Sequence, residues 1–260
     1  MADTSADAGA ALLSAIESGA LEVHYQPQMK ADGSALSGVE ALVRLRLPDG
    51  GLAGPGSFLP AVENDAEIIG KLGEFVMRRA CRDGLSWSGL QIAVNVSPLQ
   101  FDAPGFVQMV EDVVVSSGLE PGRLELEVLE TSWFAHPQKA MAVLKDLRTF
   151  GVKIAMDDFG TGYASLAALL QLPLDKLKID KSFVSLSHEI RSASIIHSII
   201  ALARSIGLTV TAEGVETKEQ QRFLRAAGCH ALQGHLFSGA VPADAITAML
   251  AGGTNPLPPA

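Results

Sequence analysis

The stretch VKIAMDDFGTGYASLAALLQLPLDKLKID, Val152 to Asp180, sets two adjacent carboxylates, Asp157 and Asp158, at the end of one apolar run and places Lys178 and Asp180 in the next. Neighbouring carboxylates repel unless water, a proton or a cation relieves them, so the pair is either solvated or holding something. Other apolar, β-branched runs are interrupted in the same way: Glu40 and Arg44 in GVEALVRL, Asn95 in AVNVS, Glu127 in LELEV and Glu213 in TVTAEGV. Strands buried on both faces are nearly all apolar, and polar intruders in them carry information. Any one of them alone reads as a solvated strand end or half of a structural ion pair. A fold that gathers the carboxyl ends of its strands at one rim would bring Glu40, Asn95, Glu127, Asp157, Asp158, Lys178 and Glu213 together. Five carboxylates can share a rim only if cations neutralise them. Oxygen ligands, without helix-borne histidine pairs or thiolates, select hard ions such as Mg²⁺ or Mn²⁺ over zinc or copper. Two such ions side by side suit in-line hydrolysis of a phosphodiester.

The elements that must position these residues are legible as alternating patterns. Strand-like runs recur as LEVHYQP, LSGVEALVRL, LQIAVNVS, RLELEVLE, VKIAMDD, LDKLKID, LTVTAEGV and HALQGHLF. Between them lie amphipathic stretches such as APGFVQMVEDVVVSSG, PQKAMAVLKDLRTFG and TKEQQRFLRAAG, each closing on a glycine suited to a left-handed helix cap. Repeated β-then-α order predicts a mostly parallel sheet covered by helices. The first two strands depart from it, because KADGSA is too short for a crossover helix, so they should pair antiparallel. Eight strands in one domain favour a closed (β/α) barrel over an open sheet. Alternation puts Glu40, Leu42 and Arg44 on one strand face and Val39, Ala41 and Val43 on the other. Residues 1–252 read as a single domain, and GGTNPLPPA at the end reads as a tail, disordered over 253–260.

Composition narrows the function. The chain has 260 residues, 48% hydrophobic, with a formal net charge of −9, a pI near 5.1 and a mean hydropathy of +0.25. That balance argues against general DNA binding or attachment to an acidic membrane surface, both of which need basic patches. Cys81 and Cys229 belong to no metal-binding spacing and are expected as buried thiols. The first twenty residues lack the basic start and apolar core of a leader peptide, and ASIIHSIIALARSIG is broken by His197 and Arg204, so a cytoplasmic protein without membrane insertion is expected. Gly160 and Gly162 in DFGTGYAS could cradle phosphate, a weak signal by itself. Of the histidines, His230 and His235 are expected near the rim.

These residues fall into ordered motifs that resemble one family. YQPQMKADGSALSGVEALVRL, AVNVSPLQF, LELEVLETS, DDFGTGYASL, LPLDKLKIDKSFV, VTAEGVET and GCHALQGHLFS follow the order found in EAL domains, the bacterial phosphodiesterase module for cyclic di-GMP, over nearly the whole chain. The resemblance implies an α/β fold, a modified TIM-like (β/α)8 barrel with an antiparallel first strand. It also implies two Mg²⁺ or Mn²⁺ ions ligated by Glu40, Asn95, Glu127, Asp157, Asp158, Asp180 and Glu213. Catalysis would fall to Glu40, Lys178 and Glu213, with Lys178 orienting or polarising the nucleophilic water. Gln26, Leu42, Arg44, Asp180 and Gln233 match substrate-side positions, while Glu130 and Glu216 match positions that steady the site, Glu130 through the DFGTGYAS loop. The implied reaction opens cyclic di-GMP to linear 5'-pGpG. A homodimer is implied as well, as is fusion to sensory or GGDEF-type domains in a parent protein. Leu129, His230, His235 and Gly239-Ala240 stand where the family usually has Thr, Asp, Tyr and Arg-Pro; none of these removes a metal ligand. The rival reading is a module that binds the nucleotide without hydrolysing it, and an unrelated metal-dependent barrel hydrolase is a third.

Overall fold

The structure is a computed structural model that describes residues 2–129, 136–159 and 166–252. Strands β1 (Leu21–Lys30) and β2 (Leu36–Arg46) form an antiparallel hairpin, with Leu21 opposite Leu45 and Gln26 opposite Glu40. Its turn is closed by Lys30 N–H donating to Ala35 O and by Gly33 at φ 74°, a left-handed position suited to glycine. A two-residue strand, β3 (Leu52–Ala53), extends the edge of β2. The remaining strands are β4 (Gln91–Val96), β5 (Leu124–Leu129), β6 (Lys153–Phe159), β7 (Lys176–Ile179), β8 (Thr209–Ala212) and β9 (Ala231–Gln233). Each is parallel to the next, β4 is parallel to β2, and β9 returns to β1 antiparallel, so β1-β2-β4-β5-β6-β7-β8-β9 close into a barrel. All eight expected strands are present. β3 was not foreseen, because two residues carry no periodicity.

Helices cover the outside. They are α1 (Ala2–Ser18), α2 (Ala66–Gly84), α3 (Pro98–Phe101), α4 (Phe106–Ser117), α5 (Pro137–Phe150), α6 (Leu166–Gln171), α7 (Lys181–Ser185), α8 (Ile190–Ser205), α9 (Lys218–Ala227) and α10 (Ala243–Ala251). Their starts and stops follow from local chemistry. Asp65 accepts from the N–H groups of Glu67 and Ile68 at the head of α2, and Thr217 with Gln220 forms a reciprocal capping box on α9. The expected glycines end α4, α5 and α9: Gly118, Gly151 and Gly228 have φ of 78°, 109° and 99°. α2 turns Ile68, Ile69, Leu72, Val76 and Ala80 inward at helical spacing. The hairpin is fastened from outside by Tyr25, whose hydroxyl donates to Asp83 Oδ2 at 2.7 Å and whose ring meets Trp87 edge-on at 4.8 Å. Trp87 Nε1 in turn donates to Thr247 Oγ1 of α10. Both cysteines are buried free thiols, as expected, and burial pushes them up to about 12.

The two sides of the barrel wall differ in chemistry. Outward positions such as Val39, Ile92, Val94, Leu126, Val128, Ile154 and Val210 are buried and apolar against the helices. The buried polar residues of the strands, His24, Gln28, Glu40, Glu125, Glu127, Asp157, Lys178, Thr211 and Gln233, sit at the alternate positions that line the lumen. TIM-like barrels ordinarily fill that space with branched apolar side chains. This lumen is polar at both ends, and the expected tail at 253–260 lies outside the described residues.

Candidate metal centre

At the carboxyl rim, period-two alternation points Glu40 of β2 into the lumen between the outward Val39 and Ala41. Register sets Glu40 beside Ala93 of β4, Asn95 beside Glu127 of β5, and Glu127 beside Ala155 of β6. Ala93 and Ala155 therefore stand next to the acids and leave them room. That alternation of small and acidic residues along facing strands is the signal by which sequence reasoning could have found these two space-making positions. Asn95 Nδ2 donates to Glu40 Oε1 at 2.6 Å, and Gln233 Nε2 donates to Glu40 Oε2 at 2.6 Å and to Gln26 Oε1 at 3.0 Å. Burial alone would raise the Glu40 carboxyl, but Lys178 and these two amides outweigh it and hold the group below its ordinary value.

Asp157 and Asp158 owe their joint position to a bulge. Met156 pairs with Leu177 and Phe159 with Ile179, so three steps along β6 match two along β7. Asp158 takes up the extra residue with φ 53°, the left-handed region that side chains other than Gly, Asn and Asp rarely enter. An unbroken strand would send consecutive side chains to opposite faces. Here carboxylate oxygens of Asp157, Asp158 and Glu213 all lie within 4.8 Å of one another. Burial and the neighbouring Asp157 and Asp180 charges raise the Asp158 carboxyl.

Lys178 occupies the middle of the cluster, only 1% exposed. Its Nζ lies 2.5 Å from Glu213 Oε1, 2.6 Å from Glu127 Oε2, 3.1 Å from Asp157 Oδ1 and 3.7 Å from Glu40 Oε2. Burial disfavours its charge, but the surrounding carboxylates, Glu127 first, overcome this and hold the ammonium well above the usual lysine range. One cation cannot satisfy four anions. Burial, reinforced by Glu40, lifts Glu127 well above the carboxylate range, and burial lifts Glu213 to about 7 despite Lys178. Of the carboxylate oxygens around it, Glu127 Oε1 has no partner among the described residues, while Glu127 Oε2, Asp157 Oδ1 and Glu213 Oε1 share the one Lys178 ammonium. Buried carboxylate oxygens with at most one shared ammonium between them, in a set containing no sulfur or imidazole, fit hard divalent cations.

The other expected site residues take varied places. Asp180 caps α7, accepting from Ser182 N–H at 2.9 Å; burial would raise it, but that hydrogen bonding holds it low, and its charge reaches Asp158. Leu42 and Arg44 follow Glu40 on the inward face and are half-buried; Arg44 Nη1 donates to Val43 O. Leu42 also lines, with Leu59, Ile69, Asn95 and Leu129, an apolar pocket of about 370 Å³ beside the cluster. Glu216 is exposed before α9, its N–H donating to Gln220 Oε1. Glu130 and the loop from Gly160 to Ser165 lie outside the described residues. His235 follows β9 at the rim. His230 is not at the rim: it precedes β9, at the opposite mouth with Gln91 and Lys176, because β9 is only three residues long and His230 and His235 flank its two ends.

Comparison with known proteins agrees with this geometry. The family model of the EAL domain matches residues 10–240. The bifunctional diguanylate cyclase/cyclic di-GMP phosphodiesterase MucR of Pseudomonas aeruginosa is 42% identical over 92% of this chain and 36% of its own length. The cyclic di-GMP phosphodiesterase NbdA of the same organism is 40% identical over 92% of this chain and 30% of its own. The chain thus spans about a third of the length of these curated relatives. Among solved structures, the PaMucR phosphodiesterase in complex with c-di-GMP superposes with a TM-score of 0.85 at 41% identity, covering 90% of this chain and 99% of that one.

Proposed function

The chain belongs to the EAL domain family, and from that premise we propose that it is a metal-dependent phosphodiesterase that opens cyclic di-GMP to linear 5'-pGpG. The observation that carries the reading is the convergence of Glu40, Glu127, Asp157 and Glu213 on Lys178, with Asn95 on Glu40 and Asp158 beside Asp157. Relatives named as cyclic di-GMP phosphodiesterases support it.

In the hydrolysis a water oxygen joins phosphorus, the bond from phosphorus to the 3'-oxygen breaks, and a proton passes to that oxygen. Glu40, Asn95, Glu127, Asp157, Asp158, Asp180 and Glu213 would hold two Mg²⁺ or Mn²⁺ ions, which supply Lewis-acid charge and acidify water when bound. Lys178 orients the attacking water and offsets charge that builds on the phosphoryl oxygens. Glu213, whose Oε1 meets Lys178 Nζ, would take up the proton that the attacking water gives up. Asn95 and Gln233 keep Glu40 in one orientation by binding its two oxygens separately. Arg44, Gln26 and Gln233 contact the nucleotide, and the apolar pocket at Leu42 gives a flat base a dry surface. Glu130 and Glu216 steady the surrounding loops. The activity belongs to a domain spanning residues 1–252, working in the cytoplasm as a homodimer and, in a parent protein, beside sensory or GGDEF-type domains. Leu186, Ile190 and Ile195 are exposed apolar side chains at and before α8, and no helix among the described residues is long and apolar enough to cross a membrane.

The test is incubation with cyclic di-GMP and Mg²⁺ followed by chromatography for pGpG. Product that disappears with EDTA or in Glu40→Ala is expected, and Ca²⁺ should inhibit through its longer, looser coordination. Nucleotide binding without product would replace the hydrolase with a receptor.

A further inference from the structure

The barrel has a second polar end, which the chemistry above does not use. At the amino mouth a cavity of about 660 Å³ is bordered by Arg148, Lys153, Lys176, Thr211 and His230 together with Glu125 and Asp175.

The charges around this cavity do not cancel. Lys176 Nζ is paired with Glu125 Oε1 at 2.7 Å. Arg148 and Lys153 both converge on a single oxygen, Asp175 Oδ1, at 3.1 and 3.2 Å, while the other oxygen, Oδ2, is taken by Ile154 N–H at 3.0 Å. A guanidinium has five donor hydrogens and an ammonium three, so two cations sharing one acceptor leave most of their donors free for a further anion. His230 adds another donor. Its Nδ1 accepts from Val210 N–H at 2.9 Å, which places the proton of the neutral ring on Nε2. Thr211, 1% exposed, lines the same cavity, and its hydroxyl has no hydrogen-bond partner among the described residues. On a chain of net charge −9, three cations against two carboxylates form a local positive centre.

We propose that the amino mouth of the barrel is an anion site, separate from the metal centre, that takes the phosphoryl group of inorganic phosphate or of a phosphate monoester. Arg148 and Lys153 hold the charge at the entrance, and Thr211 supplies a hydrogen bond from the wall. The volume is in the range of small-molecule sites and admits a ligand larger than phosphate itself.

The experiment is titration of the protein in EDTA and low salt with inorganic phosphate and, separately, with GMP, followed by ³¹P NMR and calorimetry, with chloride at matched ionic strength as control. EDTA keeps metal-bridged binding at the carboxyl rim out of the measurement. Saturable binding is expected in the wild type and in Glu40→Ala, weakened at least about tenfold in the Arg148→Ala/Lys153→Ala double variant, as expected for loss of charge-assisted hydrogen bonds. Both side chains are nearly half exposed, 41% and 46%, so the double variant should keep its fold. Thr211→Val provides a second, nearly isosteric variant and should also weaken binding. Tighter binding of GMP identifies a nucleotide-sized ligand, and equal binding identifies the free phosphoryl anion. No saturable binding of either, an effect that chloride reproduces, or affinity unchanged in both variants would overturn the proposal.

Discussion

An ammonium buried among four carboxylates depends on their charge, since all four are largely withdrawn from water. Lys178 is the counter-ion that lets Glu40, Glu127, Asp157 and Glu213 share the rim before any divalent cation arrives. Removing one member of a buried ionic group strands its partners, at a cost of roughly 3–5 kcal/mol. Lys178→Met is therefore expected to lower the urea midpoint in EDTA and to regain most of that loss in saturating Mg²⁺, which would replace the missing positive charge. Its kcat should fall much more than its nucleotide affinity, the mark of a group used in the transition state. Equal stability of variant and wild type in EDTA would show that the carboxylates are neutralised by their own protons instead.

The decisive element is β6. Its bulge turns two consecutive carboxylates toward one centre, and Asp158 bears the backbone cost at φ 53°. A left-handed residue other than glycine costs about 1–3 kcal/mol, and like charge beside Asp157 adds to it. Asp158→Gly should thus leave the metal-free protein at least as stable as wild type, by thermal unfolding in EDTA. Its Mn²⁺ affinity by calorimetry should nonetheless fall about tenfold or more, because an anionic ligand is gone. Asp158→Val, β-branched and unsuited to that conformation, should lose about 1–3 kcal/mol. If Gly destabilised the fold as much as Val, the residue would be serving the bulge through its side chain.

At the scale of the whole molecule, the rim makes stability depend on pH and on metal. Burial, with Lys178 acting against it, raises Glu213 from 4.5 to about 7, and Glu127 and Asp158 are raised too. Below pH 4.5 Glu213 is protonated in folded and unfolded chains alike and does not affect the balance. Between 4.5 and 7 the unfolded chain gives up the proton that the folded one keeps, so stability present at low pH is lost as pH rises through about 7. Urea midpoints in EDTA should fall between pH 5 and 7.5, and Glu213→Gln should flatten that fall. Mg²⁺ should oppose it, contributing about 2.7 kcal/mol at a hundred times its dissociation constant. Since metal must displace protons, calorimetry at pH 6 in buffers of different ionisation enthalpy should detect proton release. A pH-independent difference between Glu213→Gln and wild type would contradict the linkage.

The strands, the antiparallel start and the glycine helix stops were readable from the sequence, because each depends on contacts within a few residues: alternation, the short KADGSA connection, and caps at Gly118, Gly151 and Gly228. The polar intruders at Glu40, Asn95, Glu127, Lys178 and Glu213 were readable too, since burial on both strand faces makes them anomalous wherever they occur. Tertiary structure alone decided which groups meet. The bulge that aligns Asp157 with Asp158 depends on the register between β6 and β7, which no local pattern encodes. The use of Gln233 as a donor to Glu40 spans 193 positions of chain and exists only because β9 returns to β1. The placement of His230 at the amino mouth rather than the rim follows from the three-residue length of β9. Periodicity is a property of neighbours along the chain, whereas a site is a property of neighbours across a closed sheet, and closure is fixed by the packing of all the strands at once.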